Sequence, residues 1–248
     1  MLLLKKTKLT KIPIDYTWSF ADKTIKDTSY ITHGFYTYPA KFIPQLAKRL
    51  IKENSKEGDI VIDPFMGSGT TVVEALVNKR IGIGTDINEI AHLIAKVKTT
   101  PIKTAELLQE FSTIELDLQN RFNGQYNFFL NKSLKVVPKN ERIDYWFLPQ
   151  QREKLSVIFA RILEIKNNNI KDFFFIAFAQ ILKSCSIWLQ KSVKPTRDQS
   201  KKVYEPLTLF LNQSKKMIKK HSEFDIMLNP KIKQNIAQYR VVQCGDSR

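Results

Sequence analysis

Cysteine and histidine are scarce in this chain. Cys185 and Cys244, with His33, His92 and His221, stand far apart in 248 residues. There is no Cys-x-x-Cys, so neither a disulfide framework nor a local zinc site is encoded, and no metal is expected. Long apolar runs are missing too. The amino terminus reads Met1-Leu2-Leu3-Leu4 and then Lys5-Lys6, well short of a secretory segment, and nothing approaches the roughly 18 apolar residues of a membrane helix. A soluble, cytoplasmic chain with no membrane partner is the expectation. Glycine is absent between Gly124 and Gly245, and Pro-Pro occurs nowhere although there are 10 prolines. Acidic side chains number 24 against 40 basic ones, a formal charge of +16. That excess reads either as a Lys-rich solvated surface or as preparation for a polyanion partner; a site has to decide between them.

What is present is organised by periodicity, without internal repeats. Residues 43–52 place Ile43, Leu46, Ala47, Leu50 and Ile51 at helical spacing, with Pro44 in the first turn. A short β-branched run at 59–62 enters the turn Asp63-Pro64-Phe65-Met66-Gly67-Ser68-Gly69, and a helix follows over 70–78. A second apolar run, 81–85, ends at Asp86, and Asn88 caps a further helix that Pro101 closes. Strands alternating with helices over such short connections predict parallel pairing in a doubly wound α/β sheet, with ligands at the carboxyl ends of its strands. Residues 104–235 are long helical stretches whose aromatic centre, around Phe173, Phe174, Phe175, Phe178 and Trp188, is expected to be core packing. A last strand over 239–244 leads to Gly245-Asp246-Ser247.

The glycine loop sits between a strand and a helix amino terminus, where backbone N–H groups and the helix dipole act on a ligand. A Walker loop is excluded, because no Lys follows Gly67-Ser68-Gly69-Thr70-Thr71; a dinucleotide loop fits less well, since its third glycine would fall at Val72. Asp63 at the end of the first strand would repel a phosphate and attract a cationic sulfonium. Asp86, roughly 20 residues past the glycines, occupies the place from which an acid accepts ribose hydroxyls. Each acid alone has a bland reading, as a turn cap or a strand end. Together they favour a nucleoside ligand without phosphates, S-adenosylmethionine.

At this point a resemblance emerges. The run Asp63 to Thr71 resembles the cofactor loop of bacterial DNA amino-methyltransferases, which methylate cytosine N4 or adenine N6, and Tyr38-Pro39-Ala40-Lys41-Phe42 is similar to their cofactor-flanking motif. The resemblance implies a partial Rossmann-like methyltransferase sheet with a large helical insert. It also implies a cofactor site formed by Tyr38, Pro39, Ala40, Lys41, Asp63, Pro64, Phe65, Gly67, Ser68, Gly69, Thr70, Thr71, Asp86, Ile87, Asn88 and Asp246. The expected organisation is an arm over 1–32, a cofactor-binding half over 33–103, an insert over 104–237 that contacts DNA, and a return strand over 238–248. Lys191, Lys194, Arg197, Lys201 and Lys202 are the candidates for tracking the phosphates of double-stranded DNA.

One part of the family pattern has no match. These enzymes use an Asp/Asn/Ser-Pro-Pro-aromatic tetrapeptide on the flipped base, and without Pro-Pro in the sequence no residue is assigned a catalytic role. The expectation is a split or truncated enzyme that takes the catalytic motif from a complementary chain pairing with the first strand. An RNA base methyltransferase and a non-catalytic subunit that binds the cofactor or DNA are the alternatives.

Overall fold

The structure, a computed structural model, describes residues 13–39, 41–123, 135–189 and 194–247. Three 3-10 turns (Tyr16–Trp18, Asp27–Ser29 and Ile31–Gly34) lead to α1 (Pro44–Asn54), which starts on its proline. The order is then β1 (Ile60–Asp63), α2 (Thr70–Val77), β2 (Ile81–Asp86) and α3 (Glu89–Thr99). Asn88 caps α3 as expected, its side chain accepting from the N–H groups of Ile90 and Ala91. The helical region comprises α4 (Thr104–Phe122), α5 (Ile143–Trp146), α6 (Pro149–Leu163), α7 (Asn168–Cys185), α8 (Pro206–Met227), α9 (Pro230–Gln234) and α10 (Ile236–Tyr239), and β3 (Arg240–Cys244) returns to the sheet.

The sheet is parallel, in the order β1-β2-β3, with Ile62 opposite Ile83 and Ile83 opposite Val241. Gly82 and Gly84 face α2: a Cβ on Gly82 would lie 3.0 Å from Val72, and one on Gly84 2.6 Å from the Met66 sulfur. These glycines let α2 lie directly on the strand. Arg240, in register with Gly82, reaches the end of α3 by donating to the hydroxyl of Thr100 at 2.7 Å. Both helices therefore cover one face. On the other face Ile60, Ile62 and Val241 are 59%, 64% and 42% exposed.

Among the described residues helices cover one face only, consistent with part of a Rossmann-like parallel sheet. Beyond α3 the apolar stripes of α4, α6, α7 and α8 satisfy one another in a bundle instead of folding back over the second face. Phe173, Phe174 and Phe210 are fully buried there, in a core that also contains Phe35 and Ile94. The aromatic segment is core, as its spacing suggested. Two buried guanidiniums tie α4 to α6: Arg121 pairs with Asp117 (2.8 Å) and Glu164 (2.7 Å), and Arg161 with Glu110 (2.9 Å) and Asp117 (3.1 Å).

Candidate donor-binding site

The carboxyl ends of the three strands converge. Gly67 and Gly69 adopt φ of 49° and 72°, a left-handed region open to glycine with little strain. The turn is closed by Gly69 N–H on the Met66 carbonyl (2.8 Å) and tethered to β2 by Met66 N–H on the Thr85 carbonyl (3.0 Å). Asp86 organises the crevice, since its carboxylate accepts from Gly67 N–H at 2.8 Å and from Asn88 N–H at 2.9 Å. It therefore holds the loop and the start of α3 in one register, and keeps acceptor lone pairs for a ligand hydroxyl.

Tyr38 reaches this point from a distant part of the chain. Its ring covers Gly67, where a Cβ would sit 3.2 Å from the ring edge. Its hydroxyl is held above the usual phenol range by burial and by the Asp86 charge, and lies beside Asn88. Gly245 N–H donates to the Asp86 carbonyl at 3.0 Å, which brings the exposed Asp246 to the same end of the sheet. Asp63 closes a turn by accepting from Phe65 N–H at 3.1 Å, the capping role that its position also allowed. Phe65 and Ile87 are 78% and 73% exposed, two apolar surfaces flanking the loop. Pro39 and Pro64 are exposed, and Thr71 is half-buried at the start of α2. Ala40 lies outside the described residues.

Several polar groups at the loop have no side-chain partner among the described residues. The N-cap of α2 is Gly69, which has no side chain to cap it, so the first-turn N–H groups have no side-chain acceptor. Ser68 and Thr70 are 4% exposed, and their hydroxyls have no hydrogen-bond partner among the described residues. Beneath the loop lies a buried polar cluster that the sequence reading missed. Glu74, fully buried on α2, accepts from His33 Nε2 (2.7 Å), from the Tyr30 hydroxyl and from Asn78 (3.3 Å). Burial raises the Glu74 carboxyl and holds His33 well below the usual imidazole range. Lys98, 1% exposed, donates to the Ser68 carbonyl at 2.6 Å, and Lys41 to the His33 carbonyl at 3.0 Å. A signal existed in the sequence: Lys98 stands seven residues after Ala91 and three after Ala95, on the apolar stripe of α3.

The basic candidates are not brought to this crevice as a group. Lys191 lies outside the described residues, while Lys194 and Lys202 are exposed. Arg197 lays its guanidinium 4.3 Å from the centre of the Tyr145 ring. Lys201 donates to the carbonyls of Lys183 (2.7 Å), Ser186 (2.7 Å) and Trp188 (2.8 Å); its ammonium caps the end of α7 internally. Among the described residues no helix is long and apolar enough to cross a membrane, and no group of three or more His, Cys, Asp or Glu side chains is placed to hold a metal ion.

Residues 4–97 match the family described as DNA methylase. The chain is 34% identical over 167 residues to the Type II methyltransferase M.MvaI of Kocuria varians, covering 64% of this chain and 36% of that protein. It is 38% identical over 148 residues to the Type II methyltransferase M.MjaII of Methanocaldococcus jannaschii, covering 58% and 27% respectively. Over 54 residues it is 52% identical to the orphan methyltransferase M.BamHII of Bacillus amyloliquefaciens, covering 22% and 20%. The chain thus spans about a third or less of the length of these curated relatives. No solved structure matches it. Tyr38, Asp63, the glycine loop and Asp86 all fall inside the stretch, residues 4–97, over which the chain is similar to the DNA methylase family.

Proposed function

We propose that this chain is the donor-binding part of an S-adenosylmethionine-dependent, site-specific DNA methyltransferase acting on an exocyclic base amine, cytosine N4 or adenine N6. The observation that carries the reading is the convergence of Asp86, the glycine loop and Tyr38 at one end of the sheet. The residues fit the donor: Asp86 offers acceptors to ribose hydroxyls, and Phe65 and Ile87 offer apolar surface to a purine. The uncapped start of α2 suits a carboxylate. Bound S-adenosylmethionine would supply an electrophilic methyl group on a sulfonium. The described residues hold and orient it, and Asp63 adds negative charge on the same side.

The 248 residues contain no Pro-Pro, and β1 is hydrogen-bonded only on its β2 side among the described residues. An unpaired edge with the exposed Ile60 and Ile62 beside it is a template for another strand. Burying an isoleucine stabilises by about 1.5–3 kcal/mol, so covering this face favours association. We assign that place to a complementary segment carrying the catalytic tetrapeptide, and the exposed Lys194, Arg197 and Lys202 to duplex phosphates.

A methyl-transfer assay tests this. The chain is incubated with DNA and donor labelled on the methyl group, alone and with the remaining part of the Kocuria varians relative. Label is expected in DNA only in the complemented reaction. Transfer by the chain alone would overturn the complement. Donor and DNA binding without transfer in either reaction would favour a non-catalytic subunit, the reading that the missing Pro-Pro also supports.

A further inference from the structure

Lys98 is expensive to bury, and its surroundings do not neutralise it. Its ammonium donates to a backbone carbonyl, that of Ser68, at 2.6 Å. The nearby Glu74 carboxylate is already engaged by His33, Tyr30 and Asn78. Lys41, from the segment before α1, adds a second positive charge, while Lys220 on α8 faces the same His33. Burial first, and the Lys41 charge next, push the Lys98 ammonium down to about 7, against the pull of Glu74. An apolar side chain would satisfy this position on α3 at lower cost, so a role beyond packing has to account for the amine.

The geometry supplies one. The same face of α3 touches the loop twice: Ala95 lies where a Gly69 Cβ would be 2.6 Å from its own Cβ, and Lys98, one turn on, grips the Ser68 carbonyl. From the other side, Asp86 holds Gly67 N–H. We propose that Lys98 is a positioning residue of the donor site, an amine beneath the glycine loop that turns the Ser68 carbonyl inward and fixes the loop in the shape that receives the donor. This rests on the donor-site reading above. Lys98 touches no ligand itself; it acts through the Ser68 peptide, beside the buried Ser68 and Thr70 hydroxyls that have no hydrogen-bond partner among the described residues.

The test compares the wild type with Lys98→Met and Lys98→Gln, by calorimetric titration with S-adenosylmethionine and by melting temperature. Lys98→Met should melt at or above the wild-type temperature, because it removes a buried charge. Its donor dissociation constant should rise about tenfold, and Lys98→Gln, which keeps an N–H donor, should recover part of the loss. Equal donor affinity in the wild type and Lys98→Met overturns the positioning role and leaves the donor site standing. A folded wild type that does not bind donor overturns the site itself. If both variants fail to fold, the wild type still decides the matter. By reciprocity, donor binding must then move the titration of the Lys98 ε-carbon resonance, and an unmoved titration overturns the proposal.

Discussion

Replacing Gly69 by alanine measures how firmly α3 backs the loop. The residue has φ of 72°, and an added Cβ would lie 2.6 Å from the Ala95 Cβ and 3.0 Å from its Cα. The left-handed conformation costs a non-glycine residue about 1–2 kcal/mol, and forcing a methyl group into a packed contact costs about 1–3 kcal/mol more. The expected destabilisation is therefore about 2–5 kcal/mol, or roughly 5–15 °C in melting temperature for a chain of this size. Gly58 is the internal control: its φ is 92°, but a Cβ there would meet nothing within 4 Å. Gly58→Ala should therefore show only the conformational part, about 1–2 kcal/mol. The difference between the two isolates the contact, and a cycle with Ala95→Gly should show a coupling of at least about 1 kcal/mol. Urea unfolding of the five proteins, wild type, the three single variants and the Gly69→Ala/Ala95→Gly double variant, provides the assay. Equal losses for Gly58→Ala and Gly69→Ala, or no coupling to Ala95, would refute the claim that the loop rests on α3.

The same structure makes other predictions. Lys98 titrates at about 7 in the folded chain against its ordinary 10.5. Below about 7 both states hold the proton and the burial penalty is complete; between those values only the unfolded chain holds it, so stability rises with pH. The stability advantage of Lys98→Met over wild type should consequently be largest near pH 6 and shrink by pH 9 in urea titrations. Lys201→Met should lower stability by about 1 kcal/mol by freeing three carbonyls at a partly solvated helix end, whereas Lys202→Met should be neutral to stability. In a gel-shift salt titration, Lys202→Met should instead reduce the salt slope for DNA by about one ion. Ile62→Lys on the open sheet face should leave stability within about 0.5 kcal/mol, raise solubility, and abolish complementation in the methyl-transfer assay.

Much of the α/β part is legible in the sequence because its signals are local. The Asn88 cap, the proline of α1 and the glycines of the 67–69 loop each act within a few residues of themselves. Asp86 is legible for a similar reason: its distance from the loop follows from one helix and one strand. The cluster of His33, Glu74 and Lys98 is different. His33 meets Glu74 across 41 positions and Lys98 meets the Ser68 carbonyl across 30, spacings that follow no motif, and only the interruption of α3's apolar stripe by Lys98 hints at the cluster. Lys201 shows the opposite error. Its place in a basic run suggests a solvent-facing charge, yet the end of α7 leaves carbonyls that need a donor, and Lys201 supplies it. The open sheet face is legible only in retrospect: the β1 run Ile60, Val61, Ile62 is apolar on both faces, a pattern that expects cover on each side.

On the proposed function, the methyl donor lies across the ends of the three strands. Calorimetric titration of the folded chain with S-adenosylmethionine, alongside Asp86→Ala, tests that most directly. One site per chain is predicted, weakened about 10- to 100-fold by the substitution, because hydrogen bonds to a charged group are worth about 1.5–3 kcal/mol. No binding by the folded wild type, or an affinity that Asp86→Ala leaves unchanged, would contradict it.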